Sequence, residues 1–267
     1  AIEKCPFVSA QAKITLEAQA LPPIKLISLG SAESKLEIGN ETVMFRHEEK
    51  FRNPAGLGFI IDDDLKNEEI KLRLEKINQL KFERVGQKLE ANLVAVKQNK
   101  DAGRFLEITR LVLNNTGLPI MLMSNDPASL RQALEAAGER KPLLYCATKD
   151  NFAQIGQIAK EFSLPLVAVA QDIDALAHLT KELNALGVNN PILDTGKKTA
   201  AEKIWDLTQI RRQALKKSNR ALGYPTLAIV DKTDFYEEAM DAVTYIAKYA
   251  GIVLIKGVET WEVLSIL

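Results

Sequence analysis

The cysteine closest to the start of the chain has a neighbour that is common in iron–sulfur proteins. Cys5 is followed by Pro6, and a Cys-Pro pair often closes the cysteine run that holds a cluster, because proline turns the chain around the cofactor. A four-iron cluster needs four thiolates, whereas the sequence contains two cysteines, the other being Cys146. The residues alone therefore favour a structural or surface role for Cys5.

A second group of side chains that could do chemistry recurs along the chain, each directly after a short apolar run. Their carboxylates, amides and ammonium groups could hydrogen-bond a ligand or cap the helix that follows. The two histidines, His47 and His178, have no second His or Cys at metal-ligand spacing, which indicates structural or surface roles. The group consists of Asp62, Asp63, Lys97, Asn125, Asp126, Lys149, Gln171, Asp172, Asp194, Asp231 and Lys256.

The apolar runs that precede these residues predict eight buried strands. They are short, rich in Val, Ile and Leu, and closed by polar clusters, as in strands covered on both faces. Between them, apolar residues at three- and four-residue spacing, such as Ile70, Leu74 and Ile77, predict helices with one buried face. The predicted strands are Leu57-Ile61, Leu93-Val96, Pro119-Met123, Pro142-Cys146, Pro165-Val169, Pro191-Leu193, Thr226-Val230 and Ile252-Ile255.

Eight strand-then-helix units between about residue 55 and Leu267 predict a (β/α)8 TIM barrel rather than an open doubly wound sheet. In such a barrel the polar residues listed above lie at the C-terminal ends of the strands, where barrel active sites gather. Two interpretations remain. Asp62, Asn125 and Asp194 could hydrogen-bond a pterin ring, as in a pterin-binding methyltransferase. Helix capping and subunit contact are favoured, because caps are expected at nearly every such turn, and the rim is then a candidate docking surface.

The first 54 residues lie outside the barrel repeat. Ala10-Ala20 can form a short helix that the two prolines at 22 and 23 end. Lys25-Leu29, Lys35-Ile38 and Thr42-His47 are β-prone, with turn signals at the glycines between them. We expect a small β element that leads into the barrel and plugs its bottom.

Composition excludes several classes of protein. The chain has 35 basic and 35 acidic side chains, so no polyanion partner such as nucleic acid is implied. No apolar stretch approaches the roughly 18 residues that a membrane span needs. Two cysteines far apart in sequence argue against a disulfide framework and favour a reducing cytoplasm. The start at Ala1 lacks a signal-peptide pattern, which suggests a processed or truncated product.

Several unusual strings, spread along the whole chain in the same order, resemble the large (gamma) subunits of corrinoid/iron–sulfur proteins. The strings are Glu3-Lys4-Cys5-Pro6-Phe7-Val8-Ser9, Pro22-Pro23-Ile24, Ile38-Gly39-Asn40-Glu41-Thr42-Val43-Met44-Phe45-Arg46-His47, Arg84-Val85-Gly86-Gln87, Lys141-Pro142-Leu143-Leu144-Tyr145, Thr208-Gln209-Ile210-Arg211-Arg212 and Gly223-Tyr224-Pro225.

This resemblance implies a methyl-group carrier of the reductive acetyl-CoA (Wood-Ljungdahl) pathway. Such proteins receive a methyl group from methyltetrahydrofolate through a partner methyltransferase, carry it on the cobalt of a corrinoid, and deliver it to acetyl-CoA synthase/CO dehydrogenase. The resemblance implies a further partner, the small (delta) subunit. It also implies a [4Fe-4S] cluster and a corrinoid (cobamide) in the intact protein, and we expect no catalytic residue within this chain itself.

The family's large subunit has a cluster module, a central barrel and a corrinoid domain, and the resemblance covers mainly the middle part. Cys5 matches the fourth cluster ligand, while the other three cysteines and the corrinoid domain are not in this sequence. We therefore expect a fragment: residues 1–23 are the end of the cluster module and a linker, 24–54 a small β element, and 55–267 the barrel. The alternative function is a free-standing pterin-binding TIM-barrel methyltransferase.

Overall fold

Eight parallel strands form a barrel in the computed structural model, which describes residues 9, 12–13, 16, 20–32, 34–48 and 53–267. Two short hairpins accompany the barrel. The strands are β1 (Ile27–Ser31), β2 (Ser34–Ile38), β3 (Gly56–Asp62), β4 (Lys81–Arg84), β5 (Gln87–Glu90), β6 (Leu93–Lys97), β7 (Ile120–Met123), β8 (Leu143–Ala147), β9 (Leu166–Val169), β10 (Pro191–Asp194), β11 (Leu227–Ile229) and β12 (Ile252–Ile255).

The barrel strands are hydrogen-bonded in the order β10-β9-β8-β7-β6-β3-β12-β11. The last gap is closed by a parallel bridge between Leu193 and Thr226, where the Leu193 N–H donates to the Pro225 carbonyl at 2.9 Å. All eight predicted barrel strands are confirmed, each within two residues of its predicted ends. The fold is the TIM barrel that the repeat predicted.

A helix follows each barrel strand. Side chains of Asp101, Asp126, Asp172, Thr199 and Asp234 cap five of these helices. The polar residues after the strands therefore predicted caps correctly at Asp126 and Asp172, whereas Asp62, Asp63, Asp194 and Asp231 do not cap the helices that follow them. The helices are α1 (Asn67–Gln79), α2 (Ala102–Asn115), α3 (Pro127–Ala137), α4 (Phe152–Glu161), α5 (Ile173–Leu186), α6 (Ala200–Lys216), α7 (Phe235–Ala247) and α8 (Thr260–Ile266).

The barrel core has two layers because successive strand residues point to opposite faces. On β6, Val94 and Val96 face the surrounding helices, whereas Leu93 and Ala95 face the barrel interior. The hairpin β1–β2 packs Ile27, Leu29, Leu36 and Ile38 into that interior core. The same core contains the first residues of β6, β8, β11 and β12, which are Leu93, Leu143, Leu227 and Ile252. The hairpin therefore plugs the bottom of the barrel.

The predicted strand at Thr42-His47 is wrong. The chain bends there and enters a short 3-10 helix, Arg46–Glu48, because an arginine of α6 binds its carbonyl groups instead of a neighbouring strand. Arg211 of α6 donates to the Met44 carbonyl at 2.7 Å and to the Val43 carbonyl at 2.5 Å. Arg46 is buried and donates to the Ile246 carbonyl at 2.7 Å.

The hairpin β4–β5, between α1 and β6, was not predicted. Its turn consists of Val85 (φ 50°) and Gly86 (φ 73°), a pair of positive φ angles typical of tight two-residue hairpins. Val85 is 97% exposed. The apolar residues of the hairpin are too few to produce a clear alternating pattern in the sequence.

Two predictions concern the beginning of the chain, much of which lies outside the described residues. Of the predicted helix Ala10-Ala20, the structure describes Ala12, Lys13, Leu16 and Ala20 in helical conformation. Cys5 lies outside the described residues. The cluster-ligand role that the resemblance implies for Cys5 stays a prediction.

Candidate functional site

The C-terminal mouth of the barrel contains a cavity of about 280 Å³. The interior core extends into it through Ile60 and Met123, and side chains from the strand ends and from α6 and α7 complete its wall. Its apolar residues are Ile60, Met123, Tyr145, Ala200, Ile229 and Tyr245, and its charged residues are Lys97, Asp194, Lys197, Lys198, Lys203, Asp231, Lys232, Asp241 and Lys256.

A buried ion pair forms one side of the cavity. Asp194 and Lys203 are each 2% exposed, and the Lys203 ammonium donates to Asp194 Oδ1 at 2.8 Å. The Gly196 N–H donates to the same oxygen at 2.9 Å, and the Tyr145 hydroxyl donates to Oδ2 at 3.2 Å. Both carboxylate oxygens of Asp194 therefore already have partners within the protein.

Tyr145 and Cys146 keep their protons in this environment. Burial and the negative charge of Asp194 raise the pKa of the Tyr145 hydroxyl far above its ordinary value. Burial, with a contribution from Asp194, raises the pKa of the Cys146 thiol to about 12. The Cys146 thiol donates to Asn125 Oδ1 at 3.2 Å. A thiol that stays protonated is a poor nucleophile and a poor metal ligand.

The rim of the cavity alternates between positive and negative groups. The ammonium groups of Lys97 and Lys256 lie 3.5 and 3.6 Å from the carboxylate of Asp62, and Lys197 pairs with Asp231 at 2.7 Å. Burial raises the pKa of Asp62, but the Asn99 hydrogen bond and the charges of Lys256 and Lys97 outweigh it and hold that pKa below its ordinary value. Asp62 is therefore ionised at neutral pH, and the rim is a compensated charge network.

The loop that carries Lys256 rests on two buried carboxyl groups. Glu238 accepts hydrogen bonds from the N–H groups of Lys256 at 3.0 Å and Gly257 at 2.7 Å. Glu262 is fully buried beside it, and neither of its carboxyl oxygens receives a hydrogen bond from a described N–H or O–H group. Burial and the neighbouring Glu238 raise the pKa of Glu262 to about 8, so Glu262 carries a proton at neutral pH.

The structure brings some of the predicted strand-end residues together and separates others. Lys97, Asp194, Asp231 and Lys256 line the cavity. The remaining ones have local roles or face solvent. Asp63 accepts from the Asn99 and Lys100 N–H groups, Asp126 and Asp172 cap helices, and Asn125, Lys149 and Gln171 are exposed.

The structure does not bring together the three residues that were considered for binding a pterin ring, Asp62, Asn125 and Asp194. Asp194 bonds to Lys203, Gly196 and Tyr145, Asp62 lies between two lysines, and Asn125 does not line the cavity. Both histidines, His47 and His178, are exposed.

Sequence reasoning missed Lys203 and Tyr145 as cavity residues. Lys203 precedes Leu207 by four positions and Ile210 by seven, so helical periodicity places it on the apolar face of α6. A lysine on that face signals a buried counter-charge. Tyr145 gave no such signal, because its partner Asp194 is 49 residues away and reaches it only in the closed barrel.

Neither a metal cluster nor a membrane span is found in the part of the chain that the structure describes. Its His, Cys, Asp and Glu side chains form no group of three or more that could hold a metal ion. Its helices are too short or too polar to cross a bilayer.

Comparison with protein families and curated sequences gives a consistent set of relatives. A family model described as CO dehydrogenase/acetyl-CoA synthase delta subunit matches residues 26–267. The corrinoid/iron-sulfur protein large subunit of Moorella thermoacetica is 37% identical over 256 residues, which cover 96% of this chain and 57% of that protein. The acetyl-CoA decarbonylase/synthase complex subunit gamma of Methanothermobacter thermautotrophicus is 29% identical, covering 100% of this chain and 61% of the relative. This chain thus spans about three fifths of each relative.

Solved structures with a similar fold include dihydropteroate synthases. The enzyme from Thermus thermophilus aligns with a TM-score of 0.60 at 14% identity, covering 90% of this chain and 97% of the other. The enzyme from Vibrio fischeri aligns with a TM-score of 0.61 at 11% identity, covering 90% and 96%. At such low identity the likeness establishes the barrel fold.

Proposed function

The chain belongs to the family of corrinoid/iron-sulfur protein large subunits and acetyl-CoA decarbonylase/synthase gamma subunits, and from this we propose that it is part of a methyl-group carrier in the reductive acetyl-CoA pathway. The carrier receives a methyl group from methyltetrahydrofolate by way of a methyltransferase and passes it to acetyl-CoA synthase. The observation that carries the proposal is 37% identity to the Moorella protein across 96% of the chain.

The chemistry of the cavity supports a scaffold and docking role for the barrel. The Tyr145 hydroxyl and the Cys146 thiol stay protonated, and the lysines of the cavity are paired with carboxylates. The cavity volume of about 280 Å³ lies just below the roughly 300–1,000 Å³ that is usual for small-molecule sites. A corrinoid, when bound to the intact protein, supplies the cobalt that carries the methyl group. The barrel then positions partners around that centre.

The residues of this chain do not by themselves fit a four-iron cluster. Such a cluster requires four thiolates, and the chain contains Cys5 and Cys146, the latter buried in a barrel strand. Within the proposal, Cys5 supplies one ligand and the others come from elsewhere in the intact protein. Residues 1–23 then end the cluster module, 24–54 form the β element and 55–267 the barrel.

Reconstitution of acetyl-CoA synthesis tests the proposal. The full-length protein, loaded with corrinoid and iron–sulfur cluster, is mixed with the methyltransferase, the acetyl-CoA synthase/CO dehydrogenase, radiolabelled methyltetrahydrofolate, CO and coenzyme A. We expect labelled acetyl-CoA whose formation depends on the full-length protein. Equal formation when that protein is omitted, with the other components active, would contradict the proposal.

The alternative function, a pterin-binding methyltransferase, has support only from the shape of the fold and the position of the cavity. The carboxylate of Asp194, the best-placed candidate to bind a pterin, has three partners already. Equilibrium dialysis of the full-length protein with labelled methyltetrahydrofolate separates the two functions. Specific binding that Asp194→Asn weakens at least tenfold would favour the methyltransferase.

A further inference from the structure

The cavity at the C-terminal mouth of the barrel is lined by more positive than negative groups. Among the described residues, six lysines but only three aspartates line it. Three further carboxylates that pair with these lysines do not line the cavity; they are Asp62, Asp206 and Glu237. The charges of the cavity and its surroundings therefore cancel overall, but ammonium groups predominate at the surface that a ligand would contact.

Charges at the ends of five neighbouring strands form an arc around this mouth. The arc follows the strand order β6, β3, β12, β11 and β10, and its charges are Lys97, Asp62, Lys256, Asp231 and Lys197. Asp62 is shared by Lys97 and Lys256, and Asp231 by Lys197 and Lys256. Three ammonium groups thus share two carboxylates, and the arc carries one positive charge in excess.

The ammonium groups of Lys97 and Lys256 are only loosely engaged by these carboxylates. They lie 3.5 and 3.6 Å from Asp62, beyond the roughly 2.7–2.9 Å of a charge-assisted hydrogen bond. The buried Lys203, in contrast, lies 2.8 Å from Asp194. The Lys97 and Lys256 side chains are 39% and 38% exposed. Because an ammonium group has three N–H donors, both lysines can donate to an anion in the cavity.

The floor beneath the arc is aliphatic. Ile60 and Met123 belong to the interior core of the barrel, and Ile229 packs against that core. Lys97 lies two residues beyond Ala95, which faces the interior, so the alternation of the strand directs the Lys97 side chain towards the same interior. A ligand that fits this arrangement has an apolar body and an anionic end.

The helix starts beside the cavity favour a carboxylate over a phosphate group. Phosphate sites commonly use uncapped N–H groups at the start of a helix. At α6, Thr199 and Glu202 form a complete capping box, and at α7 the Asp234 side chain accepts from the Glu237 N–H. The single charge of a carboxylate also matches the single excess charge of the arc.

We propose that the mouth cavity binds a small aliphatic monocarboxylate. Its carboxylate accepts hydrogen bonds from Lys97 and Lys256, which stay near each other because both contact Asp62. Its aliphatic chain lies on Ile60 and Met123. The inference goes beyond the methyl-carrier role and does not depend on it.

Isothermal titration calorimetry of the full-length protein with hexanoate tests the inference, and 1-hexanol is the matched uncharged probe. We expect hexanoate to bind at least about tenfold more tightly than 1-hexanol. Lys97→Met and Lys256→Met should each raise the hexanoate Kd at least about fivefold and leave the 1-hexanol Kd nearly unchanged. Lys97→Arg keeps the charge and should retain most of the affinity for hexanoate.

The control variant is Lys181→Met, which changes an exposed lysine of α5. We expect its hexanoate Kd to stay within about twofold of the wild-type value, as for an ordinary surface substitution. The Lys97 and Lys256 variants should unfold at nearly the wild-type temperature, because both side chains are partly exposed.

Each of three outcomes would contradict the inference. Equal affinity for hexanoate and 1-hexanol would mean that the cavity does not recognise the carboxylate. A wild-type hexanoate Kd in both lysine-to-methionine variants would mean that the carboxylate binds elsewhere. Undetectable binding of hexanoate, or tighter binding of inorganic phosphate, would exclude an aliphatic monocarboxylate as the ligand. The carrier role is tested separately by the reconstitution of acetyl-CoA synthesis.

Discussion

The protonation state of Glu262 is expected to affect the stability of the folded protein. It lies fully buried beside Glu238, which in turn holds the backbone of Lys256 and Gly257. A Cβ added to Gly257 would stand 2.0 Å from Glu262 Oε2, so any other residue there would displace the Glu262 carboxyl group. The guanidinium of Arg73 donates to the Lys256 carbonyl on the other side of the same loop. Burial and the neighbouring Glu238 disfavour a second negative charge here, so Glu262 is protonated at neutral pH.

This arrangement predicts that the free energy of unfolding falls as the pH rises from about 5 to 9. The pKa of Glu262 is about 8 in the folded protein and about 4.3 in the unfolded protein. Between these pH values the folded state keeps a proton on Glu262 that the unfolded state has lost, so the free energy of unfolding falls as the pH rises. Glu262→Gln keeps a neutral group in place. We expect the variant to be more stable than the wild type by at least about 1 kcal/mol at pH 9 and nearly equal at pH 5.

Urea unfolding at both pH values measures this difference, and Glu161→Gln is the control. Glu161 is a carboxylate at the end of α4 whose side chain is 46% exposed and pairs with Arg131. Its replacement should change stability similarly at pH 5 and pH 9. An equal effect of Glu262→Gln at both pH values would show that Glu262 is not protonated in the folded protein.

The buried pair Lys203–Asp194 predicts a large stability effect of a different kind. Lys203→Met leaves the Asp194 carboxylate buried with its Gly196 and Tyr145 hydrogen bonds but without a counter-charge. We expect the free energy of unfolding to fall by about 3–5 kcal/mol. Lys197→Met is the matched control, because the Lys197 side chain is 83% exposed in its pair with Asp231 and surface pairs contribute about 0–1 kcal/mol. Similar losses in urea unfolding for both variants would contradict the structure of the cavity wall.

At the scale of elements, Arg211 fixes the segment that follows the first hairpin. It contacts the Val43 and Met44 carbonyls, pairs with Glu41 at 2.5 Å, and stacks over the Tyr249 ring at 4.5 Å from its centroid. Burial raises the pKa of Glu41, but Arg46 and Arg211 outweigh this and hold it below its ordinary value. The cluster joins the N-terminal segment to helix α6 and to the end of α7.

Arg211→Ala should release this segment. We expect a loss of about 2–3 kcal/mol in the free energy of unfolding, as for charged hydrogen bonds, and faster hydrogen exchange in residues 41–48. Arg212→Ala changes the adjacent, exposed arginine and should leave both measurements nearly unchanged. Unchanged exchange in Arg211→Ala would mean that the segment is held by other contacts.

The elements also show what the sequence could and could not predict. Strands β3 and β6–β12 were predictable because each is buried on both faces and reads as an apolar run such as Leu93 to Val96. Thr42-His47 has β propensity, but its carbonyls bind an arginine about 170 residues later, a contact that no local pattern contains. The β4–β5 hairpin was not predicted because its two strands are mostly exposed and only four residues long.

The location of the candidate site and four of its residues were predictable from the sequence, but the pairing of its side chains was not. Parallel strands in a closed barrel necessarily place Lys97, Asp194, Asp231 and Lys256 around one mouth. Their pairing, and the entry of Lys203 from α6, depend on side-chain packing between distant parts of the chain. The same dependence explains why Asp62 and Asp194 are ion-pair members rather than the helix caps that local spacing favoured.

In the whole molecule, the proposed role of the barrel is to position partners rather than to carry out the methyl chemistry. The barrel has a plugged bottom and a small charge-compensated cavity at its top. In the proposed carrier, cobalt supplies the methyl chemistry and the barrel supplies surfaces for its partners.

The proposed carrier role is tested most directly by asking whether methyl transfer to the corrinoid needs a separate methyltransferase. The full-length protein, with its corrinoid reduced, is mixed with radiolabelled methyltetrahydrofolate, and label bound to the corrinoid is measured over time with and without the methyltransferase. If the barrel has no methyltransferase activity of its own, we expect rapid labelling only when the methyltransferase is present. Labelling at the same rate without the methyltransferase would contradict the carrier role and identify the barrel as an enzyme.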